Sequence, residues 1–315
     1  MKGMKRLFFS VLLVGLLAAQ GFGAALGTNA RSVIPAQVQQ IISVDYRSLK
    51  NSESGMALKA RVLPPDLKSF EQALKDMKID PDKDVGQLTF VAFRNSKGNV
   101  EQVGIAQGEF NPKAFYQRMK TRGVKPEKYR LSYLYPTESG MVVNFLDDNT
   151  MLFGNAVPVK HALDARDGEA PSLNSNSDIS GLITDADSGA VWSVLDQLGT
   201  QNMMHGALGD ASGLADYDVV KKRMLGSRYT LDFSHGVNFN LNVLTSDSMT
   251  AATMSSLIKA GMLFKKVNAS PVEKSAMDSM TVDSDAGRLI VRFEADDAKF
   301  KSLLGSDLFA QTLRN

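Results

Sequence analysis

The stretch that decides the fold is GQLTFVAFRNSKGNVEQVGIAQGEFNPKAFYQRMKTRG, Gly86–Gly123, because its layout recurs as GSRYTLDFSHGVNFNLNVLTSDSMTAATMSSLIKAG, Gly226–Gly261. Each copy begins with an alternating segment, turns at a glycine (Gly98 or Gly236) and returns along a second alternating segment. An amphipathic segment follows, and a glycine closes it. Alternation predicts strands and the 3.6-residue period predicts a helix. The sequence therefore predicts a duplicated hairpin-plus-helix.

The first repeat is predicted to cover residues 31–166. A β-branched run, Gln40–Tyr46, predicts a buried first strand, and Asp66 can cap a helix that follows it. After the hairpin-plus-helix, Tyr129–Tyr135, Met141–Phe145 and Thr150–Phe153 predict a meander. A helix from about residue 156 to 165 is expected to close the repeat.

The second repeat is predicted to cover residues 190–315 and begins with the strand Ala190–Leu195. A helix over about 217–225 leads into the copied unit. Ala276–Asp283 and Arg288–Phe293 predict a last hairpin, and a helix from Asp296 follows. Relative to the first repeat, the counterpart of Thr150–Phe153 is missing in this interpretation.

These elements define an expected fold class. It is α+β, with two homologous repeats and mainly antiparallel sheets, because hairpins join neighbouring strands. Helices are expected to pack on one face of each sheet, since each has one apolar stripe to bury. The polar segment 167–189 is predicted to connect the repeats, with one or two helical turns around Ile179, Leu182 and Ile183. The sequence leaves open whether the repeats share one core.

Residues 1–30 have the layout of a secretory signal peptide. A basic start precedes the thirteen mostly apolar residues Leu7–Ala19, and small residues follow, with cleavage expected around Ala24–Ala25 or at Ala30. The apolar run is short for a membrane span, so a retained anchor is the lesser alternative. The sequence therefore predicts a periplasmic or secreted protein without a transmembrane span after cleavage.

Composition excludes several kinds of function. The chain contains no cysteine, which rules out disulfides, thiol catalysis, cysteinyl metal sites and a lipid-modified cysteine anchor. Removal of the basic N-terminal segment brings the formal charge of +2 close to zero. A near-neutral protein has no global electrostatic attraction to nucleic acid, so no nucleic-acid partner is expected.

Several stretches also carry a family resemblance. They are the opening SVDYRSL strand, IDPDKDVGQLTFVAF, GEFNPKAFYQRMKTRG, NFLDDNTMLFGNAVPVKHALD and AVWSVLD. With these, the chain resembles a group of uncharacterised exported bacterial proteins built from two tandem α+β repeats. The resemblance implies an envelope location and the duplicated fold, and it implies no catalytic residue.

Motifs for catalysis or metal binding are weak. Ser256 and Lys259 match S-x-x-K, but the companion S-D-N and K-T-G elements are absent. The three histidines, His161, His205 and His235, have no ligand spacing for zinc. No catalytic residue, metal site or cofactor is therefore predicted.

Two acidic stretches are similar to the start of a calcium-binding loop. Asp185–Gly189 and Asp283–Gly287 read D-x-D-x-G, but each lacks the distal glutamate of such a loop. Asp/Gly turns that lead into a strand are the simpler interpretation.

Methionine usage is the most unusual feature of the composition, with 15 methionines. Met203 and Met204 lie in the Gly/Met-rich stretch Leu198–Leu214, with Trp192 shortly upstream. Trp192, Met203 and Met204 could line a site for an apolar small molecule or a partner helix, because methionine is adaptable. They could equally fill gaps in the core.

The sequence-based hypothesis is therefore an exported, non-catalytic envelope protein that binds a partner protein or an apolar ligand. A hydrolase with a dispersed active site and a structural or assembly factor remain the alternatives. The two segments in which the repeats differ, Thr150–Phe153 and Leu198–Leu214, are the expected places for a specific function.

Overall fold

The computed structural model describes residues 25–62, 65–76, 78–186, 189–208 and 217–306. The predicted signal segment lies outside these residues up to position 24. Leu26, just before the helix Thr28–Ser32, and Ala30 within that helix are buried in the core. The boundary predicted at residue 30 therefore falls inside a packed helix. Of the two predicted cleavage positions, only the one at Ala24–Ala25 leaves this helix whole.

Twelve strands form one sheet in the order β11-β12-β10-β9-β8-β1-β2-β3-β7-β6-β5-β4, and every neighbouring pair is antiparallel. The strands are β1 Val38–Asp45, β2 Val85–Arg94, β3 Val100–Gly108, β4 Glu127–Tyr129, β5 Ser132–Pro136, β6 Val142–Phe145, β7 Thr150–Gly154, β8 Val191–Leu195, β9 Met224–Asp232, β10 Val237–Thr245, β11 Met280–Asp285 and β12 Arg288–Ala295.

The helices pack on this sheet and follow one another along the chain in the order α1 to α13. They are α1 Thr28–Ser32, α2 Tyr46–Lys50, α3 Glu53–Val62, α4 Pro65–Asp76, α5 Pro81–Asp84, α6 Pro112–Thr121, α7 Ala156–Arg166, α8 Ser177–Thr184, α9 Gln197–Leu208, α10 Tyr217–Lys222, α11 Ser248–Val267, α12 Pro271–Asp278 and α13 Asp297–Leu304. A 3₁₀ turn, Leu173–Ser175, precedes α8. The fold is α+β, as the sequence predicts.

The two repeats meet at the centre of the sheet, where β1 pairs with β8. Outward from this seam the first repeat runs β1-β2-β3-β7-β6 and the second β8-β9-β10-β12-β11, so both have the same strand order. The repeats therefore share one continuous sheet. The strand pattern is consistent with duplication.

The first repeat has strands without a counterpart in the second, but they are not the strand that the sequence predicts. β7 and β12 occupy equivalent places, since β7 pairs with β3 and β12 pairs with β10. The strand Thr150–Phe153 therefore has a counterpart, and the interpretation that it is the missing strand is wrong. The strands without a counterpart are β4 and β5, at the far end of the sheet.

Helices cover both faces of the sheet. The larger layer, which includes α4, α6, α9, α11 and α13, packs on one face around a core with Phe70, Phe115, Met204 and Met254. The expectation of helices on one face describes this layer. A second layer, formed by α1, α7 and α8, covers the other face over β8 and over the strands β1, β2, β3, β7 and β6 of the first repeat. It buries residues such as Ile34, Leu163 and Trp192.

The last helix of each repeat, α7 or α13, packs differently in the two halves. In the first repeat, α7 buries Val159 and Leu163 in the core of the second layer. In the second repeat, α13 instead buries Phe300 in the larger core and contacts α3. The hydroxyl of Ser54 on α3 donates a hydrogen bond to the carboxylate of Asp297 on α13. The last helix thus ties the second repeat to the first.

Two helix boundaries correct the sequence-based expectations. Helix α11 does not end at Gly261 but continues to Val267. Residues 276–278, expected to begin a strand, belong to α12, which opens with a capping box between Ser270 and Glu273. The connector 167–189 contains the expected turns of helix as α8, and these bury Ile179 and Ile183.

A close approach between backbone and ring fixes the register at β3. Gly104 lies opposite Phe153 on β7, and a Cβ atom at Gly104 would lie 2.1 Å from the Cζ atom of Phe153. The ring of Phe153 stacks on Phe70 with centroids 3.7 Å apart and meets Phe90 edge-on. Glycine is therefore required at this position, because the ring occupies the space of a side chain.

Candidate functional site: the outer face of helix α11

Helix α11 is held to the sheet by its first half. Ala251, Met254 and Ser255 are buried, and the helix packs on β11 and β12. In the second half, Ile258 and Met262 are half-buried against the same core. The inner face of α11 is therefore an ordinary core face.

A well-formed cap fixes the start of α11. Asp247 accepts hydrogen bonds from the backbone N–H of Thr250 at 2.8 Å and from the hydroxyls of Ser246 and Thr250 at 2.9 Å. These hydrogen bonds stabilise the ionised carboxylate and lower the pKa of Asp247 to about 2. The charge also favours the positive end of the helix dipole.

The outer face of α11 is the unusual feature. At about 100° per residue, six exposed residues form a stripe about 120° wide along the helix. We call this set the outer stripe; its members are Ala252, Ser256, Ala260, Leu263, Phe264 and Val267. Leu263, Phe264 and Val267 are 68%, 79% and 74% exposed. None of the six carries a charge, although the solvent face of a surface helix is normally charged or polar.

The hydroxyl groups along this side of the helix do not make it polar. Ser256 donates its hydroxyl to the carbonyl oxygen of Ala252 at 3.0 Å, and Thr253 donates to that of Met249 at 2.9 Å. Both hydroxyls are thus directed to the helix backbone. Met249 extends the apolar character to the first turn, since it is largely exposed and lies in line with Val267.

Positive charge borders the outer stripe. By helical spacing, Lys259 and Lys266 lie along one edge of the stripe, whereas Lys265 lies on the side of Met254 and Ile258, away from the stripe. Lys259 and Lys265 are exposed, whereas Lys266 forms an ion pair with Asp278 of α12. No acidic residue occurs in the sequence of α11. The helix is therefore basic and apolar on its solvent side.

The first repeat shows that the fold does not need this feature. Its equivalent helix, α6, has 10 residues against 20 in α11, and it ends before Gly123, whose φ is 70°. Gly261 is the residue of the second repeat that aligns with Gly123, and its φ is not positive. Helix α11 continues for six residues beyond it. Those six residues contain Leu263, Phe264 and Val267. The exposed apolar side chains thus lie in an extension of α11 that the equivalent helix of the first repeat lacks.

The residues singled out from the sequence do not form one site. Trp192 is buried in the core of the second helical layer, together with Ile179 and Leu182 of α8. Met203 and Met204 of α9 are buried in the core on the other face of the sheet. The sheet separates Trp192 from both methionines, so all three side chains contribute to packing where the structure places them.

Histidines and acidic groups are dispersed as well. His161 lies 2.6 Å from Glu101, measured between Nδ1 and Oε2, while His205 packs near Tyr217 and His235 lies in the β9–β10 turn. Within the described ranges, no three His, Asp or Glu side chains are grouped to hold a metal ion.

The remaining motifs have structural explanations. Ala286 and Gly287, at the end of the second D-x-D-x-G stretch, both have positive φ and form the tight β11–β12 turn. The first such stretch includes Asp187, which lies outside the described residues. Ser256 directs its hydroxyl to the helix backbone rather than to Lys259, and Lys259 borders the outer stripe.

No sequence-based prediction includes Leu263, Phe264 or Val267. The sequence predicts a helix that ends at Gly261, which places these residues beyond it. The signal that could have found them is the run SMTAATMSSLIKAGMLFKKV, which contains three lysines, no acidic residue and no proline over 20 residues. A basic amphipathic helix of this kind is typical of membrane surfaces or partner-binding segments.

Comparison with known proteins adds information on the fold. No family model and no curated protein matches the chain. Among solved structures, the chain is similar to TP0453 in crystal form I at 11% identity and a TM-score of 0.48, over 90% of this chain and 98% of that one. TP0453 in crystal form IV gives 10% identity and a TM-score of 0.42, over 88% and 96%. The likeness is one of fold alone.

Proposed function

We propose that the protein is an exported, non-catalytic binding protein that docks on an anionic lipid surface through the outer stripe of α11. The observation that carries this proposal is the uncharged, exposed face of a long helix that contains three lysines and no acid. The signal-like N-terminal sequence supports the exported location.

The helix fits an interfacial position better than a spanning one. Among the residues that the structure describes, no helix is long and apolar enough to cross a membrane. An interfacial helix instead places an apolar face at the acyl boundary, with lysines beside it at the headgroups. The inner face of α11 is already packed on the sheet, which leaves only the outer stripe for lipid.

The expected affinity is modest. Full burial of Leu263, Phe264 and Val267 contributes about 1.5–3 kcal/mol each. Lys259, which is exposed beside the stripe, adds about 1 kcal/mol near an anionic surface. Association and ordering offset part of this gain. We therefore expect reversible binding that weakens as salt screens the lysines.

Sedimentation with vesicles tests the proposal. The purified protein is incubated with vesicles of phosphatidylcholine alone and with vesicles in which about one lipid in three is phosphatidylglycerol, which gives them a negative surface potential. We expect binding to the anionic vesicles and at least a tenfold loss in the variant Leu263→Ser/Phe264→Ser/Val267→Ser. The matched control is Leu131→Ser/Val157→Ser, which removes exposed apolar side chains from the first repeat.

A spectroscopic measurement locates the contact. Because the chain has no cysteine, Phe264→Cys provides one labelling site for an environment-sensitive dye. A blue shift with anionic vesicles, and none for a label at Leu131→Cys, is expected. Vesicle binding that the α11 variant does not weaken would overturn the proposal. So would no vesicle binding together with photo-crosslinking from position 264 to one defined protein, because that result identifies a protein partner.

A further inference from the structure

A second surface lies at the other end of the sheet, in the first repeat. The end of α4 and the end of α6 border a cleft of about 930 Å³. Its walls carry Lys75, Lys78, Arg118 and Arg122, and Glu138 is the acidic side chain among its lining residues. The volume is that of a site for a small molecule of moderate size.

Among the lining residues that the structure describes, basic side chains outnumber acidic ones. Arg122 forms an ion pair with Glu138 at 2.6 Å, so the charges of these two side chains offset each other. Each of the two helix ends contributes roughly half a negative charge, which offsets part of the charge of Lys75 and Lys78. The cleft therefore keeps a positive potential, and its neighbouring walls focus the field on an anion that enters it.

At the rim of the cleft a lysine occupies a backbone conformation that favours glycine. Lys78 has a φ of 59°, in the left-handed region where glycine is normally found after a helix. The N–H groups of Lys78 and Ile79 donate to the carbonyl oxygens of Lys75 and Leu74, at 2.9 Å each, which closes the end of α4. A side chain here costs about 1 kcal/mol relative to glycine. The chain nevertheless places a lysine at this position, where its side chain lines the cleft.

The basic side chains of the walls differ in burial. Arg118 is half-buried, with its Nε atom buried, and it lies on the same helix face as buried Phe115 and Met119. Lys75 and Lys78 are exposed. A partly enclosed guanidinium beside exposed ammonium groups suits planar or tetrahedral oxyanions.

We propose that this cleft binds a ligand with two or more phosphate or carboxylate groups. Arg118 would position one oxyanion, and Lys75 and Lys78 would neutralise another. The same oxyanion chemistry occurs in a soluble phosphate ester and in a phospholipid headgroup. This proposal stands independently of the outer stripe of α11, because the two surfaces lie in different repeats and share no residue.

The test uses pyrophosphate as the soluble probe and phosphatidylglycerol vesicles as the lipid probe. Calorimetry measures pyrophosphate affinity of the purified protein and of Lys75→Gln/Arg118→Gln. We expect at least a tenfold loss of affinity in this variant. The matched control, Lys97→Gln/Lys113→Gln, removes the same charge outside the cleft and is expected to change affinity less than threefold.

The lipid arm separates the two sources of the oxyanion. If only the vesicles bind, and the cleft variant weakens this binding while phosphatidylcholine shows none, the ligand is a lipid headgroup. If pyrophosphate binds with the same dependence on the cleft residues, the ligand is soluble. If the wild type and the cleft variant behave alike toward both probes, the inference is overturned. The α11 variant leaves pyrophosphate affinity unchanged in either case, so failure of one proposal is distinguishable from failure of the other.

Discussion

The substitution Gly104→Ala tests the packing between the sheet and the larger helical layer. The new Cβ atom would lie 2.1, 2.3 and 2.5 Å from three ring carbons of Phe153. Carbon atoms normally pack at about 3.5–4.0 Å, so the ring must move by more than about 1 Å. Phe70 stacks against this ring at 3.7 Å and opposes the movement.

Overpacking of a rigid core costs about 1–3 kcal/mol. Because the ring is held on its far side by Phe70, we expect the free energy of unfolding to fall by the upper part of this range. Urea denaturation followed by circular dichroism measures it. The control is Gly181→Ala on α8, where a Cβ atom meets nothing within 4 Å. That helical substitution is expected to raise stability by about 0.4–1 kcal/mol.

A double-mutant cycle separates ring displacement from backbone strain. Phe153→Leu removes the ring, so adding Gly104→Ala in that background should cost less than about 0.5 kcal/mol, which is the usual limit of additivity. An equal cost in both backgrounds would refute the reasoning, since the clash with the ring would then not be the cause. An unchanged urea midpoint for Gly104→Ala alone would refute it as well.

Three further perturbations have defined outcomes. Asp247→Asn keeps an N-cap but removes a carboxylate whose pKa is lowered from 3.8 to about 2. The stability that this carboxylate contributes is fully present above its unfolded pKa and is lost as the pH falls toward 2. Because the pKa values of Asp80 and Asp218 are lowered as well, acid titration should lower the urea midpoint of both proteins, but by more in the wild type. Ser54→Ala removes the hydrogen bond to Asp297 and should cost about 0.5–1.5 kcal/mol in urea denaturation. Gly236→Ala should cost more than Gly98→Ala, because both have positive φ but only the former would place Cβ 2.2 Å from a carbonyl oxygen; equal thermal midpoints would contradict this.

Local signals account for the parts of the fold that the sequence predicts. Gly98 and Gly236 have φ of 77° and 93°, and the two hairpins turn at these glycines. Asn111 caps α6, with Pro112 in its first turn. Such features are decided within a few residues, so they can be read without knowledge of the tertiary structure.

Non-local competition explains the errors. The pattern predicts a helix end at Gly261, but a glycine inside a helix costs only about 1 kcal/mol, and Ile258 and Met262 on either side of it gain more by packing on the core. The pairing of β7 with β3 could not be predicted from the local pattern, because strand order depends on contacts between residues that are distant in the sequence. In contrast, the start of α12 could have been predicted, since Ser270 and Glu273 have the spacing of a capping box and Pro271 follows the cap residue.

Trp192, Met203 and Met204 do not come together for a related physical reason. A methionine or tryptophan in a sequence gives no indication of which face of a sheet it will occupy. Trp192 lies on β8, and Met203 and Met204 follow on α9, only a few residues later. Because side chains alternate across a strand and α9 then packs on one face only, near neighbours in sequence become members of opposite cores.

Duplication suggests why the two candidate surfaces lie where they do. The central strands β1 and β8 pair with each other, so a change in either disturbs both repeats and both cores. Helices α6 and α11 are under less constraint, because each packs within its own half. In the first repeat α6 is short and contributes basic residues to a cleft; in the second, α11 is long and presents apolar residues. Divergence at equivalent helices, on a shared sheet, is the expected route from one duplicated scaffold to two different candidate surfaces.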